Sequence, residues 1–371
     1  MPESLIYKKF IEAIVPGTAC NFTCSYCYVA QAEGVEKRAL EKSRFDAETI
    51  GYALRKERIG GSAYINICGV GETLLPRGMP GIIMEILKQG HFVNIYTNGT
   101  VTSSIDQICA GDKNLLRRLC FSFSLHWIEL KERNLLNVFS ENIRKVRAAG
   151  CSIVCNMVLD DSYLPFLNEI RQWSIQTIGA CPQLSFPKKW NNEDNYSPLT
   201  SNIAILQEKA KSFQSPYFDF TSRFYNYDRK KFCYAGRWSF VLNLFTGDIS
   251  QCYGSPVVQN IYKNLESKIK QKPIGFRCKS GACGGGLFLP MGVVPAIPTP
   301  SYEKLKNRAT AQWYSHEFAK FLSQQLSDNN KSFSAIIEHG YDLGCRCKSV
   351  LQKGVRFFMR ICLFGKNYFH A

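Results

Sequence analysis

The sequence predicts an α/β protein with a parallel sheet covered by helices, and three observations carry that reading. Residues 8–190 alternate short strands with amphipathic helices. The strands are near-continuous apolar runs, the pattern of strands buried on both faces. The first three end in loops rich in cysteine, glycine or small polar residues, where parallel sheets gather their ligands. Six such units suit a curled, incomplete barrel as well as a doubly wound sheet.

"KKFIEAIVP" reads as the first strand, leading into a cysteine-rich loop, and "DAETIGYALRKE" as a helix capped by Asp46. "AYINICGVG" is a strand ending in glycines, and "MPGIIMEILKQG" a helix closed by Gly90. "HFVNIYTNG", "RLCFSFSLHW", "CSIVCNMVL" and "PQLSFPKKW" are four further strands, separated by helical stretches near 102–118, 138–149 and 163–177. This first unit spans 8–190. The pattern then breaks at the polar "KKWNNEDNYSPLTS", and residues 191–215 read as a linker with the helix "NIAILQEKAKSF". Within 216–300, "WSFVLNLF" and "ISQCYG" form a β-hairpin about the turn "TGD". Residues 301–371 are helical by pattern.

At 371 residues the chain buries one large core or two moderate ones. It has no apolar run of about 18 residues and no secretory signal at its start, so a cytoplasmic protein is expected. Sixteen cysteines in a reducing compartment point to metal ligation, catalysis or burial rather than disulfides. The net charge of +16 is spread along the chain without a nucleic-acid reader motif. An acidic substrate or an anionic surface explains the excess as well. In "KSVLQKGVRFFMRICLFGK", Lys353, Arg356 and Arg360 share one helical face, with Val350, Leu351, Phe357, Phe358 and Ile361 on the other. That helix either docks on the core or makes peripheral contact with the inner membrane face.

The loop "CNFTCSYCY" brings Cys20, Cys24 and Cys27 within eight positions. Thiolates suit iron–sulfur clusters, zinc and copper(I). A structural zinc is closed by four ligands, and a [4Fe–4S] cluster is usually held by four cysteines. Three cysteines leave one iron open to a cofactor or substrate. The spacing Cys20-x3-Cys24-x2-Cys27, with Tyr26 before the last cysteine, resembles the signature of the radical S-adenosylmethionine (SAM) enzymes. The resemblance covers about residues 8–190 and implies a partial (β/α)6 TIM-like barrel. It also implies that SAM chelates the fourth iron of a catalytic [4Fe–4S] cluster. One electron, from a donor such as a flavodoxin or ferredoxin, then cleaves SAM to methionine and a 5′-deoxyadenosyl radical. That radical takes hydrogen from a substrate.

The resemblance extends to "CGVGETLL", where Gly69, Gly71 and Glu72 match a glycine–glutamate motif that receives the methionine ammonium. Thr73 stands where the family usually has proline. "YTNG" and "SFSLH" fall where the family contacts the ribose and carboxylate of SAM, making Thr97, Asn98, Ser122 and Ser124 the further cofactor-binding candidates. His126 is either a proton carrier or a histidine packed at a strand end.

Cys233, Cys252, Cys278 and Cys283 have the count for a closed metal site, with zinc as one occupant. Cys233-x13-Gly247-x4-Cys252 resembles the start of the SPASM and twitch extensions, which implies an auxiliary [4Fe–4S] cluster. After Cys283 only Cys345, Cys347 and Cys362 remain, so a twitch-like domain with one auxiliary cluster is expected. Cys68, Cys109, Cys120, Cys151, Cys155 and Cys181 read as small core residues. Relatives with such an extension act on peptides and proteins or on sugar-derived molecules, and either class is an expected substrate. The rival from another class is an iron–sulfur electron-transfer or sensor protein, whose clusters need no open iron.

Overall fold

The computed structural model describes residues 8–31, 39–189, 198–224, 231–276, 278, 283, 287–341 and 343–344. Six strands, β1 (Lys9–Val15), β2 (Ala63–Gly69), β3 (Phe92–Thr97), β4 (Leu119–Ser124), β5 (Ser152–Val158) and β6 (Gln183–Ser185), follow the expected apolar runs. Each pairs in parallel with the next in sequence. A doubly wound sheet reverses its strand order at a switch point. Here β6 to β1 are consecutive, so of the two arrangements the sequence allowed, the chain adopts the curled, TIM-like one.

The helices between the strands bury one stripe each. Met79–Lys88 turns Ile82, Ile83, Ile86 and Leu87 inward, and Leu136–Ala148 does so with Phe139, Ile143 and Val146. This three- and four-residue spacing matches the helical period. Helix Ala47–Ala53 starts at Asp46, whose side chain accepts a hydrogen bond from the Thr49 N–H.

The hairpin forms as expected from β7 (Ser239–Asn243) and β8 (Asp248–Ser250), and β9 (Val257–Asn260) adds a third strand. Gly247 turns the hairpin at φ 82°, and a Cβ there would lie 2.3 Å from the Tyr262 ring. The hairpin belongs to the barrel sheet. β7 pairs in parallel with the free edge of β1, from Phe10–Ser239 to Ile14–Asn243, giving one nine-stranded sheet. The change in sequence pattern after residue 190 therefore marks no break in the sheet.

The C-terminal region supplies helices Tyr302–Lys306, His316–Leu322 and Leu326–Asn329. The first two close the base of the barrel with aromatic rings. Tyr302 and Phe318 meet Tyr64, and Phe321 stacks on Phe92 with centroids 3.8 Å apart. The amphipathic segment bearing Lys353, Arg356 and Arg360 lies outside the described residues, as do Cys345, Cys347 and Cys362. Among the described residues no helix is long and apolar enough to cross a membrane.

Candidate functional site

A cavity of about 530 Å³ opens at the carboxyl ends of β1 to β4. Cys20, Cys24 and Cys27 line it, and so do Gly69, Gly71, Glu72, Thr97, Asn98 and Ser124. Four separate loops thus deliver the residues that the sequence singled out. Ser122 is the exception. Its side chain lies deeper in the barrel, where the hydroxyl donates to Asn94 Oδ1 at 2.9 Å.

The cysteine loop is fixed by its own backbone and by the glycine segment beside it. Cys27 N–H donates to the Cys24 carbonyl, and the short helix Tyr28–Gln31 follows. Val70, Gly71 and Glu72 N–H donate in turn to the carbonyls of Val15, Gly17 and Ala19. This ladder extends the β1–β2 pairing beyond the strands. A Cβ on Gly71 would sit 2.1 Å from the Ala19 oxygen, so only glycine permits the approach. Thr73 accepts the Gly69 N–H on its hydroxyl at 2.7 Å and closes the turn.

Glu72 is buried and held from three sides. Thr97 Oγ1 and Leu74 N–H donate to Oε1 at 2.7 and 3.1 Å, and Asn98 N–H donates to Oε2 at 2.7 Å. Burial raises its pKa against the pull of these donors. With one such donor on Oε2, that oxygen keeps capacity to accept from an ammonium.

Burial also pushes the Cys20 thiol up, and the Cys24 thiol to about 12, with the Glu129 charge adding to the latter. Metal binding at this loop must therefore displace protons. Cys24 Sγ lies 3.4 Å from His126 Nδ1, which is also 2.6 Å from the Tyr26 hydroxyl. The Tyr26 hydroxyl in turn meets that of Tyr163 at 2.8 Å. Burial lowers the His126 pKa to about 4, so the ring is neutral near neutral pH. His126 thus lines the cavity as a hydrogen-bonding partner of the cysteine loop.

The sequence reading missed a polar string across the barrel interior. Beyond Ser122 and Asn94, Asn94 Nδ2 donates to Asn66 Oδ1, and Asn66 Nδ2 donates to Glu12 at 3.1 Å. Glu12 also accepts from the Cys68 thiol at 3.0 Å and from the Tyr253 hydroxyl. Cys68, expected as a plain core residue, lines the cavity. Cys120, Cys151 and Cys155 are buried as expected, and Cys109 and Cys181 are half-buried. The one available signal was a glutamate inside the apolar run "KKFIEAIVP".

The second set of cysteines gathers near the hairpin. Cys252 follows β8, and the charges of Cys233, Cys283 and Cys278 all act on its thiol, which burial raises most. Cys233 exchanges backbone hydrogen bonds with Gly275. Cys233, Cys278 and Cys283 line one small hollow with Leu289, Val294 and Ile297. Among the described residues no three His, Cys, Asp or Glu side chains converge on a point suited to one metal ion. A cluster of four irons attaches each cysteine to a separate corner and tolerates a wider set. All-thiol donor sets suit such a cluster and zinc alike.

The sequence matches no protein-family model and no curated protein. Among solved structures, the chain is similar to SuiB of Streptococcus suis bound to S-adenosylmethionine, with a TM-score of 0.50 at 15% identity. The match covers 70% of this chain and 64% of SuiB. The chain shares the fold of SuiB. SuiB bound to precursor peptide SuiA matches with a TM-score of 0.48 at 14% identity, over 70% of this chain and 64% of that one. Native anSMEcpe with bound AdoMet matches with a TM-score of 0.47 at 13% identity, over 69% of this chain and 79% of that one. The chain therefore spans about 64% of SuiB's length.

Proposed function

We propose that this protein is a radical SAM enzyme that binds a catalytic [4Fe–4S] cluster through Cys20, Cys24 and Cys27. The carrying observation is that these three thiols share one cavity with Glu72, Thr97, Asn98 and Ser124. When bound, the cluster supplies one electron that cleaves SAM to methionine and a 5′-deoxyadenosyl radical, which abstracts hydrogen from a substrate.

The chain's own residues position that chemistry. Gly69 and Gly71 let the backbone approach the cofactor, and Glu72 Oε2 receives the methionine ammonium. Thr97 orients the Glu72 carboxylate, while Asn98 links it to the cysteine loop through Asn21, donating from Nδ2 to Asn21 Oδ1 at 2.6 Å. Ser124 stands at the cavity wall for the sugar or carboxylate of SAM, whereas Ser122 holds Asn94 inside the barrel. Cys233, Cys252, Cys278 and Cys283 hold an auxiliary [4Fe–4S] cluster in a twitch-like segment spanning 216–300. The electron comes from a flavodoxin or ferredoxin, and the substrate is a peptide or a sugar-derived molecule.

Electron paramagnetic resonance of anaerobically reconstituted, reduced protein tests this reading against an electron-transfer or sensor protein. An open iron predicts a cluster spectrum that changes when SAM is added. A spectrum indifferent to SAM would mean closed clusters and favour the rival.

A further inference from the structure

Below the cavity the barrel buries the amino group of Lys306. Helix Tyr302–Lys306 closes the barrel base, and Lys306 is only 3% exposed. Its ammonium donates to Asn156 Oδ1 at 2.8 Å and lies 3.4 Å from the centroid of the Tyr217 ring. Among the described residues no carboxylate pairs with it; the one charge that acts on it, Cys120, is a thiol that burial keeps protonated. An unpaired buried ammonium is costly, and burial accordingly lowers its pKa to about 7.

Its partner Asn156 stands next to the cavity wall. Asn156 pairs in register with Ser124, so both side chains project from the same face of the sheet, and Ser124 lines the cavity. Asn156 keeps partial exposure although β5 lies inside the sheet, and its Nδ2 has no hydrogen-bond partner among the described residues. Tyr96, also partly exposed, lines the cavity and interacts electrostatically with Tyr217. Asn156 thus stands beside the cavity wall, one strand over from Ser124. Two buried donors meet there, the Lys306 ammonium and the Asn156 amide N–H, above the Tyr217 ring.

We propose that Lys306 and Asn156 form a subsite for a carboxylate of the molecule that enters the barrel. Two donors match the two oxygens of a carboxylate, whereas a phosphate group presents more acceptors than this pair can satisfy. A bound carboxylate supplies the missing counter-ion, and the barrel shields the pair from water. The substrate class is then an acid, such as an amino-acid side chain or chain terminus, or a sugar acid. The assignment rests on reading the barrel as the substrate chamber of the proposed enzyme.

The test uses the full-length reconstituted protein with propionate, propionamide and inorganic phosphate as probes, read by thermal unfolding. Propionate should raise the midpoint of the wild type, and the neutral isostere propionamide should not. Lys306→Met, which keeps the apolar stem, should weaken propionate binding by about tenfold or more. Asn156→Asp gives Lys306 an internal counter-ion and should abolish the propionate effect, which keeps the test decisive if Lys306→Met does not fold. Equal propionate stabilisation of the wild type and the variants would overturn the subsite. A phosphate effect that exceeds that of propionate and vanishes in Lys306→Met would overturn the carboxylate assignment. SAM cleavage by the wild type, measured in the same preparation, reports separately on the proposed enzyme.

Discussion

The Cys68 thiol, which lines the cavity, donates a hydrogen bond to the buried Glu12 carboxylate at 3.0 Å. Burial raises the Glu12 pKa from 4.5 to about 7, against the opposing effect of Cys68, Asn66 and Tyr253. Folding thus favours the protonated acid. The stabilisation is complete below the unfolded pKa near 4.5 and is lost as pH rises through 7. Between about pH 6 and about pH 8.5 the protein should lose about 1 kcal/mol of stability through this group. Glu12→Gln, neutral at every pH, should flatten that decline in chemical denaturation. A decline of equal size in the variant would assign the pH dependence elsewhere.

Gly71 is the tightest point between the glycine segment and the cysteine loop. Gly71→Ala would drive a Cβ into the Ala19 carbonyl, and the backbone must separate to relieve it. The expected cost is about 2 kcal/mol or more in stability. SAM affinity should fall with it, because Glu72 N–H is bonded to the same carbonyl. Calorimetric SAM titration on the reconstituted variant checks this, and unchanged affinity would mean the two segments do not act together.

How much of this was legible beforehand differs from residue to residue. The grouping of Cys20, Cys24 and Cys27 at one cavity was legible because their spacing is local. The strands were legible from their apolar runs, and Glu72, Thr97 and Asn98 from their places at strand ends. Ser122 and Ser124 looked alike in sequence; barrel depth separates them, since one bonds Asn94 and the other lines the cavity. Glu12 and Lys306 were not legible, because a single polar residue in an apolar strand or short helix shows no partner until the barrel closes. The pairing of β7 with β1 escaped notice for a similar reason, as their contact spans more than two hundred residues.

Iron content separates the two cysteine sets. The reconstituted protein should hold about eight irons, two clusters of four. Replacing Cys20, Cys24 and Cys27 together by serine should leave about four, since the second set supplies its own four thiolates. Cys252→Ser should expose the hairpin segment to proteases, because a bound cluster contributes folding energy there. A triple variant that retains no iron, or retains zinc, would remove the auxiliary cluster from the account.

Reductive SAM cleavage tests the central claim most directly. Anaerobically reconstituted, reduced protein should convert SAM to methionine and 5′-deoxyadenosine, detected by chromatography and mass spectrometry. Cys24→Ser should stay folded by circular dichroism, because the cysteine loop lies outside the strands, and should form no 5′-deoxyadenosine above the level without protein. A Cys24→Ser protein that cleaves SAM at the wild-type rate would contradict the assignment of the three-cysteine loop.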